Sequence, residues 1–99
     1  MGKVLMRDLL PVVAEHYNVP PQEIMGVSRK RKYARPRQIF CWLCRVKLDK
    51  TFPEIGRFLS RDHTTIIHAA RKCREERWVS FDLADELIVK AGGDLDYDE

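Results

Sequence analysis

Met6, Leu9, Leu10, Val13 and Tyr17 fall at three- and four-residue steps along the chain. That spacing gathers apolar side chains on one face of a 3.6-residue helix, and it predicts a first helix ending near Asn18, where Pro20-Pro21 stops it. Gln22-Glu23-Ile24-Met25 offers one more helical turn, and Gly26-Val27-Ser28 leads into a polar stretch. Apolar periodicity resumes with Ile39, Phe40, Leu43, Cys44 and Leu48, which predict a helix closing at about Leu48. Pro36 suits its first turn, where a missing N–H costs nothing. On this reading the polar positions Arg37, Gln38 and Arg45 are free to face solvent or a ligand.

Thr51-Phe52-Pro53-Glu54 has the form of a capping box, with Thr at the N-cap and Glu three residues on, so a short helix is expected from Phe52. Ser60-Arg61-Asp62 breaks the apolar pattern and supplies a second N-cap, Asp62, for a helix to about Arg77. Ile66, Ala70 and Cys73 mark its buried side, while the other side carries Thr64, Thr65, His68, Arg71 and Lys72, with no acid until Glu75. Leu83, Leu87 and Ile88 predict a last helix from Phe81 to about Lys90, ended by Gly92-Gly93. The expected fold class is all-α: a compact helical domain over residues 1–93 with a helix-turn-helix at 52–77, then a tail at 94–99 expected to stay disordered.

Ninety-nine residues, 44% hydrophobic and 33% charged, make one globular domain with room for one task. No apolar run approaches the roughly 20 residues that span a bilayer. Met1 to Val13 is interrupted by Asp8 and lacks a small-residue cleavage site, so no signal peptide and a cytoplasmic location are expected. Three cysteines, an odd number, fit a reducing compartment.

The net charge of +3 hides an asymmetry. Residues 1–93 hold all 18 basic residues against 11 acids, a net of +7, and the tail holds four acids in six residues. Six of the nine residues from Arg29 to Arg37 are basic: Arg29, Lys30, Arg31, Lys32, Arg35 and Arg37. Beside a helix-turn-helix, such a block is suited to phosphates, each contact steepening the log–log salt dependence by roughly 0.9.

Arg61-Asp62-His63-Thr64-Thr65 at a helix start is the sharpest constellation. As structure alone, Asp62 is a cap and the threonines are tolerated poor helix formers. As chemistry, Thr methyls meet thymine methyls, Thr and His hydrogen-bond base edges, Asp62 accepts from a cytosine amino group, and Arg61 reaches a phosphate or a guanine. Cys41-x-x-Cys44 and His63-x4-His68 superficially supply a zinc set, but the cysteine pair lies within an apolar helical stripe and the gap to His63 exceeds finger spacing. Both cysteines read as small buried hydrophobes, Trp42 and Trp78 as packing residues, and no metal or cofactor is expected. No phosphate-binding glycine loop and no separated nucleophile, base and acid set is present, so no enzyme is expected.

Three pieces of the chain carry a family resemblance: Ala34-Arg35-Pro36-Arg37-Gln38, Pro53-Glu54-Ile55-Gly56, and Arg61-Asp62-His63-Thr64-Thr65 running on through Ile66-Ile67-His68-Ala69-Ala70-Arg71-Lys72. With Val13-Ala14-Glu15-His16-Tyr17 upstream, the sequence resembles the C-terminal DNA-binding domain of the bacterial replication initiator DnaA over about residues 5 to 90. The resemblance implies an all-helical domain, related to the Trp-repressor type of helix-turn-helix, that reads short asymmetric duplex sites, the DnaA boxes. Arg29 matches the family's minor-groove arginine, and Asp62, His63, Thr64 and Thr65 its base-reading positions. Arg37 and Gln38 match positions near the phosphate backbone and Pro53 a helix start that approaches DNA, with Lys30, Arg31, Lys32, Arg35, Arg61, His68 and Lys72 added as positioning contacts. The turn Phe58-Leu59-Ser60 is one residue shorter than the Gly-Gly turn common in initiators. The expected role is a stand-alone, monomeric, nucleoid-associated reader of double-stranded DNA from a bacterium or phage, acting on replication initiation or transcription. The alternative is a protein adaptor modulating the initiator or its regulators.

Overall fold

Residues 4–93 are described by a computed structural model, so the tail at 94–99 lies outside the described residues. Six helices form among them: α1 Met6–His16, α2 Pro21–Met25, α3 Arg31–Val46, α4 Phe52–Leu59, α5 His63–Glu75 and α6 Phe81–Lys90. None is long and apolar enough to cross a membrane.

Local chemistry places most of the boundaries. At α4, Thr51 Oγ1 accepts from the Glu54 N–H at 3.2 Å and Glu54 Oε1 accepts from the Thr51 N–H at 3.0 Å, the reciprocal box expected from the sequence. Donation from the Thr51 backbone N–H, followed by that from its side-chain hydroxyl, holds the Glu54 carboxyl below its ordinary pKa. Thr51→Ala is expected to cost about 1 kcal/mol, which thermal melting would register as a fall of roughly 4–8 °C. Ser80 caps α6 by accepting from Leu83 N–H at 3.0 Å. Asn18, Asp49, Ser60 and Arg77 adopt positive φ, at 53–55°, just beyond the ends of α1, α3, α4 and α5. Each reverses the chain where glycine is the commoner choice.

α3 differs from its expected start. It begins at Arg31, so Pro36 is its sixth residue and is buried rather than standing in the first turn. The link is fixed from outside the helix: Ser28 Oγ accepts from the Lys30 N–H at 3.2 Å, and Arg37 grips the backbone before it. The nine-residue basic loop is therefore a short link ending at Lys30 plus the first two turns of α3. α5 ends at Glu75 rather than Arg77, whose left-handed backbone stops it.

α3 is the central helix. Ile39, Phe40, Leu43 and Cys44 are at most 1% exposed, and α3 packs mainly on α5, whose Ile66, Ala70 and Cys73 face it. Ile55 and Leu59 of α4 complete this half, with the Phe58 ring 5.8 Å from Phe40. α1 buries Leu9, Val13 and Ala14, α2 buries Ile24, and α6 adds Ala84, Leu87 and Ile88 against α1. An ion pair between Lys47 and Asp85 fastens α6 near the end of α3. Burial pushes the Cys41 and Cys73 thiols up to about 12 and raises Cys44 as well, so all three are protonated packing residues.

The turn between α4 and α5 depends on one glycine. Arg61 N–H donates to Gly56 O at 2.8 Å, and a Cβ on Gly56 would lie 2.6 Å from Arg61 O. Ser60 takes φ 55° and ψ 46°, and this single left-handed residue closes the turn.

Candidate nucleic-acid interface

α5 starts at His63 because Asp62, itself extended, turns its carboxylate back: Oδ2 accepts from the Thr64 N–H at 3.3 Å. Its Oδ1 lies 3.5 Å from His63 Nδ1. His63, Thr64 and Thr65 are exposed on the first turn, where the helix macrodipole favours a polyanion. The same flank continues one and two turns on through exposed His68 and Lys72. Thr65, His68 and Lys72 line a cleft of about 310 Å³ with Ala34 and Gln38 of α3. Pro53, at the start of α4, borders an open depression shared with Arg57, Ser60, Asp62 and His63.

The basic residues divide into two sets. Arg29, Lys30, Arg31 and Lys32 are exposed and, among the described residues, have no acid within 4.0 Å. They crowd the N-terminus of α3, whose first turn holds no acid. Positive charge there opposes the helix macrodipole, and a bound anion relieves that opposition.

Arg37 and Arg61 face inward, contrary to the expectation for both. Arg37 is 9% exposed; its Nε donates to Ile24 O at 2.7 Å, Nη2 to Glu23 O at 2.7 Å and Nη1 to Ser28 O at 2.9 Å. Burial, followed by the nearby Arg61 charge, lowers its pKa. Arg61 donates from Nη1 to Leu59 O at 3.1 Å and Met25 O at 3.5 Å, and from Nη2 to Gly26 O. The reason is the same for both. The last carbonyls of α2 and of α4, and those of the link after α2, have no helical N–H to accept from, and buried carbonyls require donors. Arg37 and Arg61 therefore line the cleft without offering their guanidinium groups to phosphates. Arg35 is half-spent, its guanidinium stacked 4.3 Å from the Trp78 ring centroid with Nε buried and without a partner, while Lys72 Nζ stands 6.0 Å from the same ring.

One exposed side thus gathers the α5 tip, the α3–α5 cleft and the start of α4, and the α2–α3 link that carries Arg29 is tied by Arg61 to the turn beneath that tip. The family model for the helix-turn-helix of bacterial DnaA proteins matches residues 6–73. The chain belongs to this family. It is 37% identical over 86 residues to the chromosomal replication initiator protein DnaA of Ruegeria sp. (strain TM1040), covering 86% of this chain and 18% of that protein. Proteins of the same description from Deinococcus deserti and Rhizobium meliloti are 46% and 47% identical over 74 residues, covering 75% and 74% of this chain but 16% and 15% of theirs. The chain therefore spans less than a fifth of the length of these curated relatives.

The DnaA family element is a DNA-binding helix-turn-helix and not an enzyme scaffold, as the residues alone imply. Three supporting features escape the sequence reading. Gly56 carries a signal, being a glycine inside a helical pattern, which often marks a close approach. The stack of Arg35 on Trp78 and the inward turn of Arg37 carry none, because an arginine beside a basic run looks the same whether it points outward or in.

Proposed function

We propose that this DnaA-type domain is a sequence-specific reader of double-stranded DNA at DnaA-box-like sites, acting in the control of replication initiation or of transcription. The observation that supports it most is the capped, acid-free first turn of α5, which presents His63, Thr64 and Thr65 beside a free basic cluster at Arg29–Lys32. Asp62, His63, Thr64 and Thr65 read base edges in the major groove, and Arg29 enters the adjacent minor groove. Lys30, Arg31, Lys32, Gln38, Pro53, His68 and Lys72 contact the backbone, with Arg35 reaching it only through its terminal nitrogens. Arg37 and Arg61 hold the link that carries Arg29. Residues 1–93 form the recognition unit, and the protein acts in the cytoplasm as a monomer on its asymmetric site, in the company of the initiator system.

Titrating variants on a DnaA-box duplex and a scrambled duplex at two salt concentrations tests the division of roles. Thr65→Ala is expected to lose about 1–3 kcal/mol of preference for the box while keeping its affinity for the scrambled duplex. Lys30→Ala is expected to weaken both alike and to lower the salt slope by about 0.9. The reverse pattern would show that reading and positioning are wrongly divided.

A further inference from the structure

On the flank of α5 away from Thr65, His68 and Lys72 lies a groove that the DNA reading leaves unused. Two clefts, of about 260 Å³ and 650 Å³, meet there and share Trp42 and Arg74 as lining residues. Val46 and Phe52 line the first with Ile67, and Val79 and Phe81 line the second. Phe81 is 76% exposed and Val46 48%. A helix advances about 100° per residue, so Ile67, Ala70 and Arg74 share a flank far from that of Thr65 and His68.

Arginines rim this apolar floor. Arg71, Arg74 and Arg77 are exposed with no acid within 4.0 Å among the described residues, and Arg45 has only the exposed Asp49 at 3.4 Å. Trp42, 7% exposed, lines both clefts and its indole N–H has no hydrogen-bond partner. A buried donor left unmade is costly, and an acceptor from outside would satisfy it.

We propose that this groove docks an acidic amphipathic segment of a partner protein, its large apolar side chains seated over Trp42 and against Phe81 and its carboxylates on Arg74 and Arg77. Charge complementarity selects an acidic occupant. The apolar floor selects a protein segment over a nucleic-acid backbone, whose phosphates gain nothing from Val46, Val79 or Phe81. The partner binds while the opposite flank of α5 holds DNA.

The test is a nitrogen-15 NMR titration of the full chain with a synthetic 15-residue peptide bearing leucines at i, i+4, i+7 and i+11 and glutamates between them. Saturable shifts of the Trp42 indole N–H and of Ile67 and Phe81, with Thr65 and His68 unmoved, are expected. Phe81→Ala and the double variant Arg74→Gln/Arg77→Gln should each weaken the peptide at least tenfold, with melting unchanged and the preference for a box over a scrambled duplex kept. A peptide with its leucines changed to serine should fail to bind; equal binding would mean charge alone acts and would overturn the groove. Shifts confined to Thr65 and His68 would overturn it too, as would duplex DNA moving the Trp42 and Phe81 signals. Removal of residues 94–99 without added peptide is expected to leave the groove signals in place; if they move, the occupant is the chain's own acidic tail and not a partner.

Discussion

Arg37→Ala is expected to melt far below the parent protein, and its melting curve decides whether this arginine faces in or out. Three hydrogen bonds from one buried guanidinium reach the carbonyls of Glu23, Ile24 and Ser28. Hydrogen bonds to charged groups contribute about 1.5–3 kcal/mol each and do not simply add, so about 3 kcal/mol is a reasonable loss. In a domain of this size that lowers the melting temperature by roughly 15 °C. Arg37→Lys is expected to recover little, because a single ammonium cannot serve a fork of three acceptors. Affinity for the box duplex should fall more than that for the scrambled one at temperatures where the variant is folded, since the link that carries the minor-groove Arg29 loses its anchor. A phosphate-contacting Arg37 gives the opposite pair of results: an unchanged melt and a salt slope lower by about 0.9.

Gly56→Ala is expected to damage reading more than folding. The added methyl meets Arg61 O at 2.6 Å, with His63 N and Cα at 3.5 and 3.6 Å, so backbone and not a flexible side chain must move. Forcing atoms into such a contact costs about 1–3 kcal/mol. Relief requires the turn to open, and the turn aims α5. Preference for the box over a scrambled duplex should fall more than tenfold in a binding titration, with non-specific affinity kept because Arg29–Lys32 lie outside the turn. An unchanged preference together with an unchanged melt would mean that the close approach at Gly56 does not set the recognition helix.

The sequence discloses features that are local in origin. Thr51-x-x-Glu54 and Asp62 act at the helix starts they mark, since a cap is made by residues within three positions of each other. The core faces of α1, α3 and α5 follow from periodicity alone. What the sequence hides is tertiary. Pro36 looks like the first turn of α3, but the helix begins five residues earlier, behind a link held by long-range bonds from Arg37 and by the Ser28 hydroxyl. Arg61 stands beside the tip in sequence and reads as a DNA contact, yet it reaches back 35 and 36 residues to satisfy carbonyls at Gly26 and Met25. Helical spacing already sets His68 and Lys72 beside Thr65, but Gln38 is brought to that cleft by the packing of α3 on α5, a neighbourhood that no spacing along the chain announces.

The affinity of the intact chain for a DnaA-box duplex, measured beside a scrambled duplex of equal length and composition at about 150 mM salt, bears most directly on the two-groove reading, because screening there suppresses sequence-independent phosphate binding. A base-reading tip backed by a minor-groove arginine gives at least about a hundredfold preference for the box, below the usual span for larger specific complexes. Equal affinity for the two duplexes, with only a salt slope in common, would contradict it.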